Sequence, residues 1–158
     1  MPSLQERLAS ILRDVISVQE EPDGGLTVQH DGTFASLQVV NIADGLDLVS
    51  LTQILAWDLP LTRKVSDQVA KHARDTNFGS VTAIEKVAER VVEKVNEKVT
   101  AKAVQSNSGK AAPRTAGKTV DVMLRYNFPG AGLTDDALRT LILLVLDSGA
   151  RMRGTLTS

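Results

Sequence analysis

The sequence predicts an α+β domain, an antiparallel sheet covered by helices, in the order α-β-β-β-α-β-(helical insertion)-β-α. Three observations predict it. Apolar residues near the start and in the last quarter recur at helical spacing, whereas the runs between residues 26 and 57 are β-branched and alternating. Asp23-Gly24-Gly25, Asp31-Gly32 and Asp44-Gly45 punctuate those runs as hairpin turns would. Thr62 and Thr134 each stand where an N-cap belongs, ahead of an apolar-periodic run. A length of 158 residues suits a single domain, 1–158, with a real hydrophobic core.

Taken in order, residues 3–16 form an amphipathic helix with Leu4, Leu8, Ile11, Leu12 and Val15 on one face. Ser3 and Glu6 have capping-box spacing. The chain then turns β-rich at Val-Ile-Ser-Val, and LTVQH, FASLQVVNI and LDLVSLTQILAW read as three hairpin-linked strands. The third is apolar at odd positions (Val49, Leu51, Leu55) and at even ones (Leu46, Leu48, Ile54), so it is expected to be central and covered on both faces. Pro60 ends it.

A second helix follows at 63–77, with Val65, Val69, His72 and Ala73 on its inner face and Gly79 at its exit. Residues 78–84 are a strand or a helix entry, and 119–128 are a clear strand with Val120, Val122, Leu124 and Tyr126 on one face, Asp121 and Arg125 on the other. The last helix has Asp135 and Asp136 in its first turn, a staple of Leu133 and Leu138, and an almost wholly apolar stretch LRTLILLVL; Gly149 is its expected stop.

Composition removes whole classes of function. A net charge of -1 gives no general attraction for nucleic acid or an anionic membrane, and 3% aromatics leaves little for base stacking. With no cysteine there is no disulfide, thiolate metal site or cysteine nucleophile, which fits a reducing, cytoplasmic location. MPSLQERLASILRD is charged throughout and does not read as a signal peptide. The run LILLVL is too short to span a bilayer.

No constellation amounts to an active site, so no catalytic, metal or cofactor-binding residue and no cofactor is assigned. APRTAGKT, 112–119, matches a relaxed phosphate loop with Gly117, Lys118 and Thr119, but a strand follows it where the chemistry needs a helix N-terminus; a basic flexible loop is the plainer reading, with nucleotide binding or a small enzyme as the alternative. His30 and His72 lack paired-ligand spacing. Ser36, Ser50, Ser66 and Ser80 lack a nucleophile elbow, and Asp14, Glu20 and Glu21 read as solvated surface. Trp57 is either an aromatic anchor for a bound peptide or, the plainer reading, a core residue sealing the sheet edge.

A long strand ending in AWDLPLT, a helix ending in DTNFGSV, and a strand ending in YNFP before LTDDALRTLILLVL give an element plan that resembles type III secretion chaperones and YbjN-type domains, over about 3–85 and 119–156. The resemblance implies a small bacterial, non-enzymatic domain, often dimeric, that binds a protein partner or extended peptide on a surface of sheet and helix. A homodimer, or a heterodimer with a related domain, is the expected assembly, with no nucleic acid and no membrane insertion. This chain is less acidic than such chaperones. It also carries an insertion at about 86–118.

That insertion opens on VAER-VVEK-VNEK-VTAK, 87–102. As a strand it would place carboxylates among the valines of one face, at a cost. As a helix it places Val87, Val91, Val95 and Val99 in a stripe, widened by Ile84, Ala88 and Val92, with i, i+3 ion pairs such as Lys86–Glu89. A helix over 86–104 is the reading taken, packed on its own domain or gripping a partner, and 105–118 is a flexible basic loop. The residues expected at a partner or dimer interface are Leu4, Leu8, Ile11, Trp57, Val91, Val95, Leu141, Leu144 and Val145.

Overall fold

A computed structural model of the chain describes residues 2–87 and 118–158, which form three helices and six strands. Helix α1 (Leu4–Arg13) starts where Ser3 and Glu6 close a reciprocal cap: the Ser3 hydroxyl accepts from the Glu6 amide at 3.1 Å, and the Glu6 carboxylate accepts from the Ser3 amide at 2.8 Å. Those hydrogen bonds, the one from the Ser3 backbone foremost, hold the Glu6 carboxyl below its usual range. Strands β1 (Ser17–Glu20), β2 (Leu26–His30), β3 (Thr33–Ala43) and β4 (Leu46–Pro60) follow as a meander. Helix α2 (Arg63–Asp75) is capped by Thr62, strands β5 (Ser80–Val87) and β6 (Lys118–Pro129) pair with each other, and helix α3 (Asp135–Leu156) closes the fold behind Thr134.

All the strands join one antiparallel sheet, ordered β1-β2-β3-β4-β6-β5. The α+β class and the central place of β4 are as expected. The meander gains a fourth strand, β1, because Val18 pairs with Val28 and packs against the core. The expectation that β4 is covered on both faces is corrected. Val49, Leu51, Gln53 and Leu55 are buried, but Leu48, Ser50, Thr52 and Ile54 are only half covered. Leu48 and Ile54 alternate with the buried residues and lie on the opposite face, so apolar residues occur at both odd and even positions without both faces being buried. Beyond them β4 carries two bulges: Leu55 and Ala56 together oppose Val122, and Trp57 and Asp58 together oppose Asp121.

The helices gather on one side of the sheet. Helix α3 lies across β2, β3 and β4, with α1 and α2 packed beside it. Between them, Leu8, Leu12, Leu37, Leu51, Leu55, Leu124, Leu138, Ile142 and Leu146 are fully buried. Arg7 ties α1 to α3 through Asp135, at 2.9 Å, and the Leu133 carbonyl. Gly149 does not stop α3, which continues to Leu156. It sits where the helix presses closest to the sheet, and a Cβ there would strike the buried Gln53 side chain. On α2 only Val65 is buried; Ala73, expected on the inner face, is exposed.

Of residues 78–84, those from Ser80 onward are strand and Phe78 and Gly79 precede it; Lys86 and Val87 continue the strand and pair with Thr119 and Lys118. The helix expected to begin at 86 is corrected to that extent: Ile84, Lys86 and Val87 belong to β5. The argument against a strand rested on burying carboxylates. It does not apply at a sheet edge, where Glu85 remains exposed. The rest of the repeat, with Val91 and Val95, and the loop through Gly117 lie outside the described residues.

Candidate protein-binding surface

Strand alternation puts every second residue of the sheet on the face away from the helices, and none of the described helices packs there. The registers arrange that face in rows running across the strands. One row is Gln29–Phe34–Ile54–Met123–Thr82, apolar at its centre. The next row on one side is Thr27–Ser36–Thr52–Arg125–Ser80, polar with a single cation. On the other side stand Trp57, Asp58, Asp121 and Ile84. Phe34 is 48% exposed, Trp57 59% and Ile84 50%. Three large apolar side chains so placed on one sheet face are the arrangement that marks interaction sites.

Trp57 is thus not the buried seal that the plainer reading made it. The bulge turns it, with Asp58, onto the open face, and Asp58 takes a left-handed φ of 51° to complete the bulge. The bulge is held by charge. The Asp58 amide donates to Asp121 Oδ1 at 2.9 Å, and Lys86 Nζ reaches Asp58 at 2.6 Å and Asp121 at 3.1 Å. Its hydrogen bonds to Asp58 and then Asp121 push the Lys86 ammonium above its usual range, so it remains charged. Two carboxylates share one ammonium, which leaves one negative charge in excess at this end of the face.

Arg125, four residues along β6, lines an open depression of about 500 Å³ with Ser50, Gly79, Ser80, Tyr126 and Asn127. Among the described residues its guanidinium has no ion-pair partner. β6 therefore places anion, apolar group and cation in sequence on the open side, Asp121, Met123 and Arg125; Asp121 is itself buried, and Asp58 beside it is the carboxylate that meets solvent.

The other residues expected at an interface are placed differently. Leu4, Leu8, Ile11 and Val145 are buried in the chain's own core, Leu141 is half-buried and packed on that core, and Leu144 is 47% exposed on α3. Lys118 and Thr119, from the relaxed phosphate-loop pattern, are the first two residues of β6.

One cluster was invisible in the sequence. His30 Nε2 lies 2.6 Å from Asp147 Oδ1 and 3.7 Å from Asp31 Oδ2, the three donor atoms lying within 4.8 Å of one another. Asp31-Gly32 is a hairpin turn with both φ positive, 46° and 82°, and Asp147 comes from α3, 117 residues away from His30. An imidazole and two carboxylates are of the type that can hold a divalent cation. Here the hydrogen bond from His30 to Asp147 already clamps the hairpin to α3, and the Arg153 side chain passes beside Gly32, bringing a positive charge near. No helix of the described residues is long and apolar enough to cross a membrane. Comparison of the chain with protein-family models, with curated proteins and with solved structures finds no match.

Proposed function

We propose that the chain is a non-enzymatic protein-binding module, chaperone-like or regulatory, acting in the cytoplasm through the open face of its sheet. The observation that carries this reading is the apolar row Phe34–Ile54–Met123 with Trp57 and Ile84 beside it, partly or largely exposed on a face that the described helices leave bare. Exposing such side chains is unfavourable by about 25 cal/mol per Å² of apolar surface, so a partner that covers them gains that energy. The element plan, which resembles that of secretion chaperones and YbjN-type domains, supports the same reading. The nucleotide alternative loses support because Lys118 and Thr119 open a strand, where phosphate binding would need a helix N-terminus.

The test is photo-crosslinking from the surface itself. Ser36 lies in the polar row beside the apolar one, and Asp67 is exposed on α2. With benzoylphenylalanine at position 36, irradiation in the source cell is expected to give protein adducts well above those from position 67. Equal yields at the two positions, or no protein adduct at position 36, would overturn the proposal.

A further inference from the structure

The charges on the open face are arranged so that the face complements itself. On β6 Met123 stands midway between Asp121 and Arg125, about 7 Å from each at the usual rise per residue of a strand. The row through Met123 is apolar at Phe34, Ile54 and Met123. On one side of it lies the Lys86–Asp58–Asp121 group, with its excess negative charge, and on the other lies Arg125. A two-fold axis along that row, in the plane between two stacked sheets, would bring each open face onto its own copy with the strands antiparallel. Phe34 would then meet Phe34, Ile54 meet Ile54 and Met123 meet Met123, while Arg125 of each chain faced the exposed Asp58 of the other. Sheets stacked in this way stand about 10 Å apart, a gap that side chains of this size fill. Isologous contacts of this kind require that a patch be its own complement.

We propose that the open face pairs with the same face of a second copy of this chain, about a two-fold axis along Phe34–Ile54–Met123. The inference rests on the protein-binding reading and names the partner. Charge complementarity selects a second copy over an unrelated apolar surface. An unrelated surface would gain from covering Phe34 and Trp57 but has no reason to carry a carboxylate and a cation at the spacing of Arg125 and Asp58. Because the axis repeats every contact, one substitution acts twice.

Sedimentation equilibrium of the full chain over a concentration series tests this, with Trp57, the single tryptophan, as a second readout. The wild type is expected to dimerise, and its tryptophan emission to shift to the blue as it does. Arg125→Glu sets a carboxylate against the Asp58–Asp121 group at both contacts, and Asp58→Lys sets a cation against Arg125. Each is expected to raise the dimer Kd at least about ten-fold. An equimolar mixture of the two restores pairing, since one contact becomes Glu with Lys and the other stays native. A second pair avoids the bulge: Phe34→Glu and Phe34→Lys each repel their own copy and attract the other. Melting curves of each variant establish that it is folded.

Three results would overturn the inference: a wild type that stays monomeric at its highest soluble concentration, a dimer indifferent to Arg125→Glu and to both Phe34 variants, or mixtures that fail to re-pair. A monomer that still crosslinks from position 36 to a different protein would sink the self-pairing and leave the protein-binding reading standing. Absence of any adduct at that position would sink both.

Discussion

On the helix side of the sheet Leu37, Leu51, Leu55 and Leu124 are fully buried, whereas on the other side Phe34, Trp57 and Ile84 keep 48%, 59% and 50% of their surface in solvent. The open side is the more polar, with the row Thr27–Ser36–Thr52–Arg125–Ser80, yet its apolar residues are as bulky as those on the covered side. What differs for those residues is what comes to cover them. Three helices supply the cover on one side, and α3 follows the sheet for 22 residues, roughly 33 Å at the rise of a helix. None of the described elements does so on the other. An apolar side chain in a strand is thus a demand for cover, which its own chain or another may meet.

The comparison is broken most directly by truncating one residue from each face. Leu124→Ala removes a fully buried side chain from the centre of β6 and is expected to cost about 2–5 kcal/mol. Phe34→Ala, on the bare face, is expected to cost less than about 1 kcal/mol in the monomer, where the phenyl ring already meets water. Urea denaturation of both variants at low protein concentration measures the difference. Equal losses would mean that the open face is covered, and the contrast between the faces would fall.

A second test sharpens how closely α3 sits on the covered face. Gln53 lies fully buried in the middle of β4, donating from Nε2 to Thr33 Oγ1 at 2.8 Å and to the Leu146 carbonyl at 3.0 Å. Gly149 leaves room for it. Gly149→Ala would ordinarily stabilise a helix by about 1 kcal/mol. Here the added methyl displaces a side chain that has nowhere else to bond, and a net loss of about 1–3 kcal/mol is expected. In a Gln53→Ala background the same change should become neutral or favourable. A double-mutant cycle from urea midpoints reads the coupling; simple additivity would show that glycine is there for some other reason.

Much of the covered face was legible in the sequence. The capping box at Ser3, the caps at Thr62 and Thr134, the Asp-Gly turns and the alternation of TVDVMLRYNF are local signals, and the elements formed where those signals stand. The outward placing of Trp57 and Asp58 was not legible, because it depends on the bulges in β4. A bulge is set by long-range pairing, here by Asp58 and Asp121 with Lys86 from a third strand, and has no local signature. The same bulge sends Trp57 outward, when a tryptophan next to a buried strand reads as core. The cluster of His30 with Asp31 and Asp147 was hidden likewise, since hairpin and helix meet only in the fold. Gly149 misled for the opposite reason: glycine after an apolar helical run is a good local stop, but packing against Gln53 outweighed it.

The smallest expected effect probes the margin of the covered face, where α2 lies shallowly against α3. His72 Nε2 meets Thr155 Oγ1 at 2.6 Å, and the Thr155 hydroxyl donates to the Met152 carbonyl at 2.9 Å. Desolvation first, and then the ammonium of Lys71, lower the His72 pKa below its usual 6.5, with Asp75 opposing them. The folded state therefore disfavours the imidazolium, and the unfolded chain binds the extra proton first. The stabilisation is complete above the unfolded pKa and is lost as pH falls from 6.5 through the lower folded value. His72 is partly exposed, so the loss amounts to about a few tenths of a kcal/mol after solvent screening. His72→Gln, which preserves a donor toward Thr155 and does not titrate, should flatten the stability profile between about pH 7 and pH 5. Glu6 and Asp75, whose carboxyls are also lowered, act below their usual values of 4.5 and 3.8 and leave that window clear. A wild-type profile unchanged by His72→Gln would mean that α2 sits on the core without constraining its histidine.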